Sequence, residues 1–314
     1  MISIVIPVYN EEENLPLLMG RLEAVMQSMK RPYEIIFVDD GSRDGSLEIL
    51  KGFVGRQGVR IVELTRNYGQ HRAIMAGFSV VRGSIVVTLD ADLQNPPEQI
   101  PALVRTLEQG DYEVVGSFRA MRQDSFLRKI PSRIMNAITL KITKVHMTDW
   151  GCMLRAYRRR VVDWMVSSQE YSTFIPVLAT FFAKRMTEIP VEHANRYGGR
   201  SNYGLRKLVS LQFDLLTSFS EFPLKVLLYV GTILSIAGVS FGILLGIARI
   251  FYGAEWAAYG VFTLFAILFF FLGGLFFALG IMGQYIGRIY HEVRKRPRFT
   301  IHEVYEPPKI GPDS

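Results

Sequence analysis

Apolar positions in residues 1–120 alternate between short β-branched runs and longer stretches with helical spacing. Runs with the length and composition of buried strands span residues 2–8, 34–39, 60–64, 84–90 and 112–118. Helical patterns lie between most of them, and this alternation predicts a parallel sheet covered by helices on both faces. We therefore predict an α/β fold in which ligands bind beyond the carboxyl ends of the strands.

The pattern changes after residue 120. Residues 124–160 are basic and predict a helix-rich connector into a further strand, and residues 187–191 predict a short late strand. Apolar residues then recur at helical spacing through 205–225, which predicts an amphipathic helix that leads to a membrane. A helix packed against the core of the first domain explains the same spacing equally well.

Two later segments, residues 226–248 and 257–282, contain no charged residue, and each exceeds the roughly 20 residues needed to cross a bilayer core. The link between them carries only Arg249 and Glu255 as charges, whereas basic residues flank the pair on its outer sides. The positive-inside bias places both termini in the cytoplasm. We predict a cytosolic domain over 1–204, the amphipathic helix over 205–225, a two-helix transmembrane hairpin over 226–282 and a basic cytosolic tail over 283–314.

Composition and charge narrow the possible partners. The formal net charge of +7 suits diphosphates and acidic lipid head groups. Nucleic acid is disfavoured, because the basic residues lie beside apolar spans and the sequence has no helix-turn-helix, zinc-finger or RNA-binding signature. The single cysteine, Cys152, excludes an intramolecular disulfide and a thiolate zinc site, and it suits a reducing compartment.

Polar clusters follow three of the predicted strands, at residues 9–12 (YNEE), 39–42 (DDGS) and 90–92 (DAD). Because the carboxyl ends of parallel strands meet at one edge of a sheet, we expect these clusters to converge. Asp90 and Asp92 point the same way in an extended segment, and paired carboxylates suit a divalent cation that binds a diphosphate. The 39–42 cluster has the acceptors and the glycine turn that a nucleobase or ribose needs close by.

Four motifs in this order, followed by two apolar spans, resemble the polyprenyl-phosphate glycosyltransferases of glycosyltransferase family 2. They are residues 3–12 (SIVIPVYNEE), 38–44 (VDDGSRD), 66–70 (RNYGQ) and 89–98 (LDADLQNPPE). The resemblance implies a GT-A, Rossmann-like fold, inversion at the anomeric carbon, a Mg²⁺ or Mn²⁺ cofactor and a UDP-sugar donor. It further implies an undecaprenyl phosphate acceptor, contact with membrane lipids, a homo-oligomer and a location in the bacterial inner membrane.

Residue roles follow from the same resemblance. Residues that should border the nucleotide are Pro7, Tyr9, Glu11 and Asp40, and those that should hold the metal and diphosphate are Asp90 and Asp92. Gln94 should lie close to the donor sugar. Asp149 matches the aspartate proposed as catalytic in the family.

The chemistry limits what Asp149 needs to do. A phosphate monoester has a second pKa of about 6, so most of the acceptor is already an oxyanion nucleophile at neutral pH. We therefore expect Asp149 to position the acceptor or sugar as much as to remove a proton. A purely structural role, as a cap before the following segment, is the alternative.

Cations must offset the repulsion between the acceptor phosphate and the diphosphate. The candidates are Arg119, Arg122, Arg128, Arg196 and Arg200, each weighed against a solvated surface arginine. The family has a lysine where this chain has Asn202, and Arg200 is expected to supply the missing charge.

The sugar is the least determined part of the function. Residues 67–78 and 149–157 resemble the branch of the family that transfers 4-deoxy-4-formamido-L-arabinose, which implies lipid A modification and polymyxin resistance. Glucose or mannose, for O-antigen or other envelope glycosylation, is the alternative. A non-catalytic lipid-translocation partner is disfavoured by the intact Asp90, Asp92 and Asp149, and two spans are too few for a processive synthase channel.

Overall fold

The computed structural model describes residues 1–119, 147–168, 174–192, 222–252, 261–294 and 296–307. The chain divides into two compact units. The first comprises Met1–Gly204 together with Arg296–Ser314, and the second comprises Leu205–Lys295. The segment that follows the apolar helices therefore belongs to the first unit.

The first unit is built on one sheet of eight strands among the described residues. They are β1 (Ile2–Val8), β2 (Tyr33–Asp39), β3 (Val59–Leu64), β4 (Ile85–Thr88), β5 (Val114–Arg119), β6 (Arg155–Arg158), β7 (Met186–Val191) and β8 (Ile301–Tyr305). The order across the sheet is β7-β5-β6-β4-β1-β2-β3-β8. The apolar strands β1 and β2 lie near its middle, where both faces are covered.

Two of these strands run against the others. The β6 strand is antiparallel to β4 and β5, and β8 is antiparallel to β3, whereas the neighbouring pairs among β1 to β4 and the pair β5 and β7 are parallel. The N-terminal ends of β6 and β8 therefore reach the same edge as the carboxyl ends of the parallel strands.

Helices cover both faces of the sheet. They are α1 (Leu15–Ser28), α2 (Ser46–Lys51), α3 (Gln70–Val80), α4 (Ile100–Gln109), α5 (Arg159–Ser167) and α6 (Ile175–Phe182). One core joins α1, α2 and α4 to the sheet, and a second joins α3, α5 and α6 to it. Alternate residues of β1 contribute to the two cores, since Ile4 and Ile6 belong to the first and Val5 to the second.

The α/β fold class predicted from the sequence is confirmed, with two corrections. The strands predicted within residues 1–120 run parallel as expected, but the complete sheet is mixed, because β6 and β8 enter in the opposite direction. The segment 283–314, expected to be a tail, contains a strand of the sheet, because Ile301–Tyr305 pairs with β3. Its pattern, IHEVY, is short and carries two polar residues, so local composition gave little sign of a strand.

The second unit contains two long apolar helices, α7 (Phe222–Tyr252) and α8 (Val261–Val293). Both are long and apolar enough to cross a membrane. Large apolar side chains project outward along both helices, which suits contact with lipid. The α7 helix extends beyond the predicted span 226–248 at both ends, and α8 extends beyond the end of the predicted span 257–282. Residues 257–260 of the second span and residues 205–221 of the predicted amphipathic helix lie outside the described residues.

Candidate functional site

The candidate site lies at the carboxyl edge of β4, β1 and β2, which are adjacent in the sheet. The loops after these three strands carry the three polar clusters, so their predicted convergence is observed. The loop before β6 joins them, because Arg155 of that antiparallel strand pairs with Thr88 at the end of β4. The hydroxyl of Thr88 donates a 2.5 Å hydrogen bond to the carbonyl of Met153 and fixes this arrangement.

The loops after β1 and β2 are joined by reciprocal hydrogen bonds. The main-chain N–H of Asn10 donates to the hydroxyl of Ser42 at 3.1 Å, and the N–H of Arg43 donates to the Asn10 side chain at 2.8 Å. Asn10 has a φ of 56°, a left-handed conformation that asparagine tolerates. The N–H of Glu11 donates to Ser46 at 2.8 Å. These bonds fix the backbone that carries Glu11.

The two aspartates that follow β2 have different surroundings. Both carboxylate oxygens of Asp40 accept main-chain hydrogen bonds, from Tyr68 at 2.7 Å and from Gly69 at 2.8 Å. Asp39 accepts one from Ser42 at 3.2 Å, while its Oδ1 atom is buried without a partner. Burial raises the pKa of both carboxyl groups above the usual range. Asp39 therefore has an oxygen that a ligand could engage, whereas Asp40 holds the loop after β3.

Gly41 allows the loops after β2 and β3 to approach each other. Its φ is 69°, and a Cβ atom there would lie 2.7 Å from the main chain of Arg66 and of Asn67. Any side chain would therefore push the two loops apart. This close contact places Tyr68 and Gly69 against Asp40.

Asp90 and Asp92 follow β4 as predicted, and each is held by amide donors. Gln70 donates to Oδ1 of Asp90 at 2.6 Å and Asn95 to its Oδ2 at 3.4 Å. Gln94 donates to Asp92 through its main chain at 3.1 Å and through its side chain at 2.8 Å. Burial, followed by the negative charge of Asp92, raises the pKa of Asp90 to about 7. The half-buried pair thus has negative charge that a cation would offset.

The donor set fits a hard divalent cation that keeps part of its ligand shell for other groups. Among the described residues, no three His, Cys, Asp or Glu side chains are arranged to hold a metal by themselves. Two carboxylates from the protein suffice where waters and phosphate oxygens supply the other ligands, which is the usual Mg²⁺ arrangement. Asp90 and Asp92 can take that role.

Asp149 lies in the loop before β6 and is buried, with 5% of its surface exposed. Its Oδ1 accepts a 3.0 Å hydrogen bond from the N–H of Gly151, in the manner of an Asx turn. The carboxylate of Glu188, on β7, accepts hydrogen bonds from the N–H groups of Thr148 and Asp149 at 2.6 Å and 3.4 Å. The loop is therefore fixed from two sides, and Asp149 combines a structural contact with its position at the site edge.

Asn95 connects the loop of Asp90 to the loop of Asp149. Its side-chain amide donates to Asp90, and its carbonyl lies 3.5 Å from the sulfur of Cys152. Cys152 is buried and lies 3.0 Å from the hydroxyl of Ser117 on β5. Burial raises the pKa of the Cys152 thiol. A buried protonated thiol suits packing, as the sequence predicts, and not nucleophilic chemistry.

Only some of the remaining predicted site residues lie in the described part of the chain. Pro7 is half-buried within β1, and Tyr9 directly follows that strand with 40% of its surface exposed. The Glu11 carboxylate accepts a 2.6 Å hydrogen bond from the side chain of Asn14. Arg119 is the last residue of β5, so its backbone lies at the same edge. Arg122, Arg128, Arg196, Arg200 and Asn202 lie outside the described residues.

Sequence reasoning missed several residues that shape this site. Gln70 and Asn95 stand inside recognised motifs, yet only the structure shows that both donate to Asp90. Thr300 also reaches this edge, where its carbonyl accepts a 3.1 Å hydrogen bond from the N–H of Thr65. The positions of Gln70 and Asn95 within motifs could have indicated a role at the site, whereas no local sequence pattern indicated one for Thr300.

Comparisons with known proteins agree with this geometry. The model of the family described as Glycosyl transferase family 2 matches residues 3–164, more than half of the chain. The chain is 52% identical over 306 residues to the undecaprenyl-phosphate 4-deoxy-4-formamido-L-arabinose transferase of Aeromonas hydrophila subsp. hydrophila, covering 97% of this chain and 94% of that protein. It is 53% identical over 305 residues to the protein of the same name from Photorhabdus laumondii subsp. laumondii, covering 96% and 94%.

Solved structures show the same fold at much lower identity. Glucosyl-3-phosphoglycerate synthase from Mycobacterium tuberculosis, in complex with Mn²⁺, UDP-glucose and phosphoglyceric acid, superposes with a TM-score of 0.51 at 17% identity. The match covers 70% of this chain and 78% of that one. A second structure of this synthase, with phosphoglyceric acid, gives a TM-score of 0.50 at 19% identity, covering 70% and 78%.

Proposed function

Because the chain belongs to glycosyltransferase family 2, we propose that it transfers a sugar from a UDP-sugar to undecaprenyl phosphate, with inversion at the anomeric carbon. One observation carries the proposal. The paired carboxylates of Asp90 and Asp92 lie at the edge where the loops after β4, β1 and β2 meet, in a chain 52% identical over nearly its whole length to a transferase with that acceptor in its name.

The nucleotide is proposed to bind over the loops after β1 and β2. The buried Oδ1 of Asp39 is a free acceptor for a nucleobase N–H or a ribose hydroxyl. Asp40 would act by shaping this surface, since its oxygens already bind the main chain of Tyr68 and Gly69. Tyr9, which is partly exposed beside them, offers an aromatic face for stacking. Pro7 and Glu11 complete the border that the family resemblance predicts.

The diphosphate is proposed to bind at Asp90 and Asp92 together with Mg²⁺ or Mn²⁺. The bound cation would offset the charge that develops on the departing UDP. Gln70 and Asn95 orient the Asp90 carboxylate, and Gln94 orients that of Asp92. The Gln94 side chain, which binds Asp92 and which the family resemblance places close to the donor sugar, would then help to orient the sugar.

The acceptor needs orientation more than deprotonation. A phosphate oxygen attacks the anomeric carbon while the bond from that carbon to the UDP oxygen breaks. Since the phosphate monoester is already largely ionised at neutral pH, Asp149 is proposed to position the acceptor or sugar and to bind any remaining proton. Arginines proposed to reduce repulsion between the phosphates are Arg119, Arg122, Arg128, Arg196 and Arg200.

The apolar helices are proposed to keep the site beside its lipid acceptor. An enzyme anchored in the same bilayer meets a long isoprenyl phosphate at a raised local concentration. We propose that α7 and α8 both cross the bacterial inner membrane, with the α/β domain and both termini on the cytoplasmic side. Basic residues flank the two apolar spans, including Lys225 in the first turn of α7 and Arg294 directly after α8, and they support this orientation.

The transferred sugar is proposed to be 4-deoxy-4-formamido-L-arabinose, which both relatives described above carry in their names. The test is to incubate the purified chain and undecaprenyl phosphate with a panel of UDP-sugars and to determine the mass of each lipid product. The proposal predicts efficient transfer of this sugar alone. Preferred transfer of glucose or mannose would refute the sugar assignment while retaining the reaction, and no lipid product from any donor would refute both.

A further inference from the structure

Arg155 is a buried cation without an acidic partner in the described part of the chain. The residue has no exposed surface, and among the described residues no carboxylate oxygen lies within 4.0 Å of its guanidinium nitrogens. Burying an unpaired charge is costly unless strong hydrogen bonds compensate for the lost water. Burial of the Arg155 guanidinium inside the domain therefore requires specific hydrogen bonds.

Those contacts all lie in one loop. The Nε atom donates to the carbonyl of Cys152 at 2.8 Å, and Nη2 donates to the carbonyl of Asp149 at 2.9 Å. The third nitrogen, Nη1, lies 3.5 Å from the sulfur of Met147. One guanidinium thus contacts residues at both ends and in the middle of the loop before β6.

Gly116 on β5 makes room for this guanidinium. A Cβ atom at that position would lie 3.1 Å from Nη1 of Arg155 and 2.6 Å from the terminal methyl group of Met147. The loop, the arginine and the glycine are therefore packed as one unit. A change at Gly116 would displace the guanidinium without removing its charge.

The charge of Arg155 also acts on a residue in the first turn of α3. Its charge contributes, after burial, to lowering the pKa of His71 to about 4, so His71 is neutral at physiological pH. The neighbouring residue Gln70 is the one that donates to Asp90. The buried guanidinium accordingly contacts the Asp149 loop and acts electrostatically on the helix whose first residue supports Asp90.

We propose that Arg155 is a positioning residue, whose guanidinium fixes the main chain of residues 147–152 and thereby sets where the Asp149 carboxylate meets the acceptor. This inference rests on the proposed function, because it takes Asp149 to act on the transfer step. Lysine cannot replace the arginine, since a single ammonium cannot reach both carbonyls in the geometry of the planar fork.

Arg158 provides a matched control on the same strand. Its guanidinium also donates to two main-chain carbonyls, those of Tyr112 at 3.3 Å and Leu107 at 3.0 Å, but it lies at the opposite end of β6. Arg155→Lys and Arg158→Lys therefore remove similar bonds at different distances from the site. Both full-length variants are compared with the parent by steady-state sugar transfer, which gives kcat and KM, and by calorimetry, which gives UDP affinity. The comparison separates an effect on the reaction from an effect on donor binding.

We expect Arg155→Lys to lower kcat by about 100-fold, as misplacement of a reacting group by about 1 Å does, while KM for the UDP-sugar and UDP affinity stay within about twofold. Arg158→Lys should leave kcat within about twofold. Gly116→Ala should lower kcat in the same direction with the arginine still present, because its Cβ would lie 3.1 Å from Nη1 of Arg155. It also keeps the proposal testable if Arg155→Lys fails to fold. Equal kcat for the parent, Arg155→Lys and Gly116→Ala would overturn the positioning role.

A double-mutant cycle shows whether Arg155 acts through Asp149. In an Asp149→Asn background, Arg155→Lys should lower kcat by less than about threefold, because the group that it positions is already lost. The same fold loss in both backgrounds would overturn the proposal. A parent that forms no lipid-linked sugar would refute the proposed function, whereas an active parent with additive variants would refute only the role of Arg155.

Discussion

The side-chain amide of Gln70 donates a 2.6 Å hydrogen bond to Oδ1 of Asp90. Gln70 opens α3 after the third strand, and Asp90 follows the fourth, so the bond joins two motifs that are separate in sequence. A carboxylate with a fixed orientation can meet a cation and a diphosphate without reorganising. The bond therefore makes Gln70 part of the candidate site by position.

Replacing Gln70 should impair transfer without unfolding the domain. Gln70→Ala removes the shortest contact to Asp90, and we expect kcat/KM to fall by about tenfold or more, which corresponds to one charged hydrogen bond. Gln109→Ala, at the exposed end of α4, is the matched control. Equal kcat/KM for the two variants would show that Asp90 does not need this contact.

Asp39 should contribute to nucleotide affinity through its unpartnered oxygen. Asp39→Asn keeps the size of the side chain but puts an N–H₂ group in place of one carboxylate oxygen, and we expect UDP to bind about tenfold more weakly. Isothermal titration calorimetry with UDP gives the affinity. Asp163→Asn, on the exposed surface of α5, should bind UDP as the parent does. Unchanged affinity in Asp39→Asn would place the nucleotide elsewhere.

Thr300 should control the ionisation of Tyr68, whose main chain binds Asp40. Hydrogen bonds with Thr300 and then Thr65 lower the pKa of Tyr68 to about 8. Thr300→Val removes the larger contribution, so the pKa should rise toward the usual value of about 10. The phenolate absorbance of each protein, minus that of its Tyr68→Phe counterpart, reports this titration. Thr106→Val, on α4, should leave it unchanged, and an unshifted Tyr68 in Thr300→Val would exclude the contact.

The two arginines that bind Glu306 should differ in their effect on stability. Arg60 is buried and also pairs with the buried Glu34 at 3.0 Å, whereas the Arg82 side chain is 50% exposed. Arg60→Ala leaves Glu34 without its cation, and we expect a loss of about 3–5 kcal/mol in the free energy of unfolding. Arg82→Ala should cost at most about 1 kcal/mol. Denaturant unfolding in detergent measures both, and similar losses would contradict the assigned burial.

The central strands and the shared edge of the site were predictable from the sequence. Strands β1 to β3 are buried on both faces, so they appear as largely apolar runs whose bounds match the predictions within one residue. The convergence of Asp39, Asp90 and their loops follows from a general rule of parallel sheets and needs no tertiary detail.

Strand direction and side-chain partners were not predictable in the same way. Whether β6 enters parallel or antiparallel depends on pairing with distant strands, and this direction brings Asp149 to the edge beside Asp90. The pairing of β8 with β3 likewise brings Thr300 to Thr65 across the whole apolar segment of the chain. The distinct surroundings of Asp39 and Asp40 depend on which loop packs against which oxygen, information that two adjacent identical letters do not contain.

The central claim is that the chain transfers a sugar to a membrane lipid phosphate and that this transfer requires the carboxylates after β4. The direct test is the single-turnover rate at which folded, full-length parent and Asp90→Asn proteins convert undecaprenyl phosphate and UDP-4-deoxy-4-formamido-L-arabinose to the lipid-linked sugar. We predict rapid product formation by the parent and a rate lower by about 100-fold or more for Asp90→Asn. Equal rates for the two proteins, or no lipid-linked product from the parent, would contradict the account.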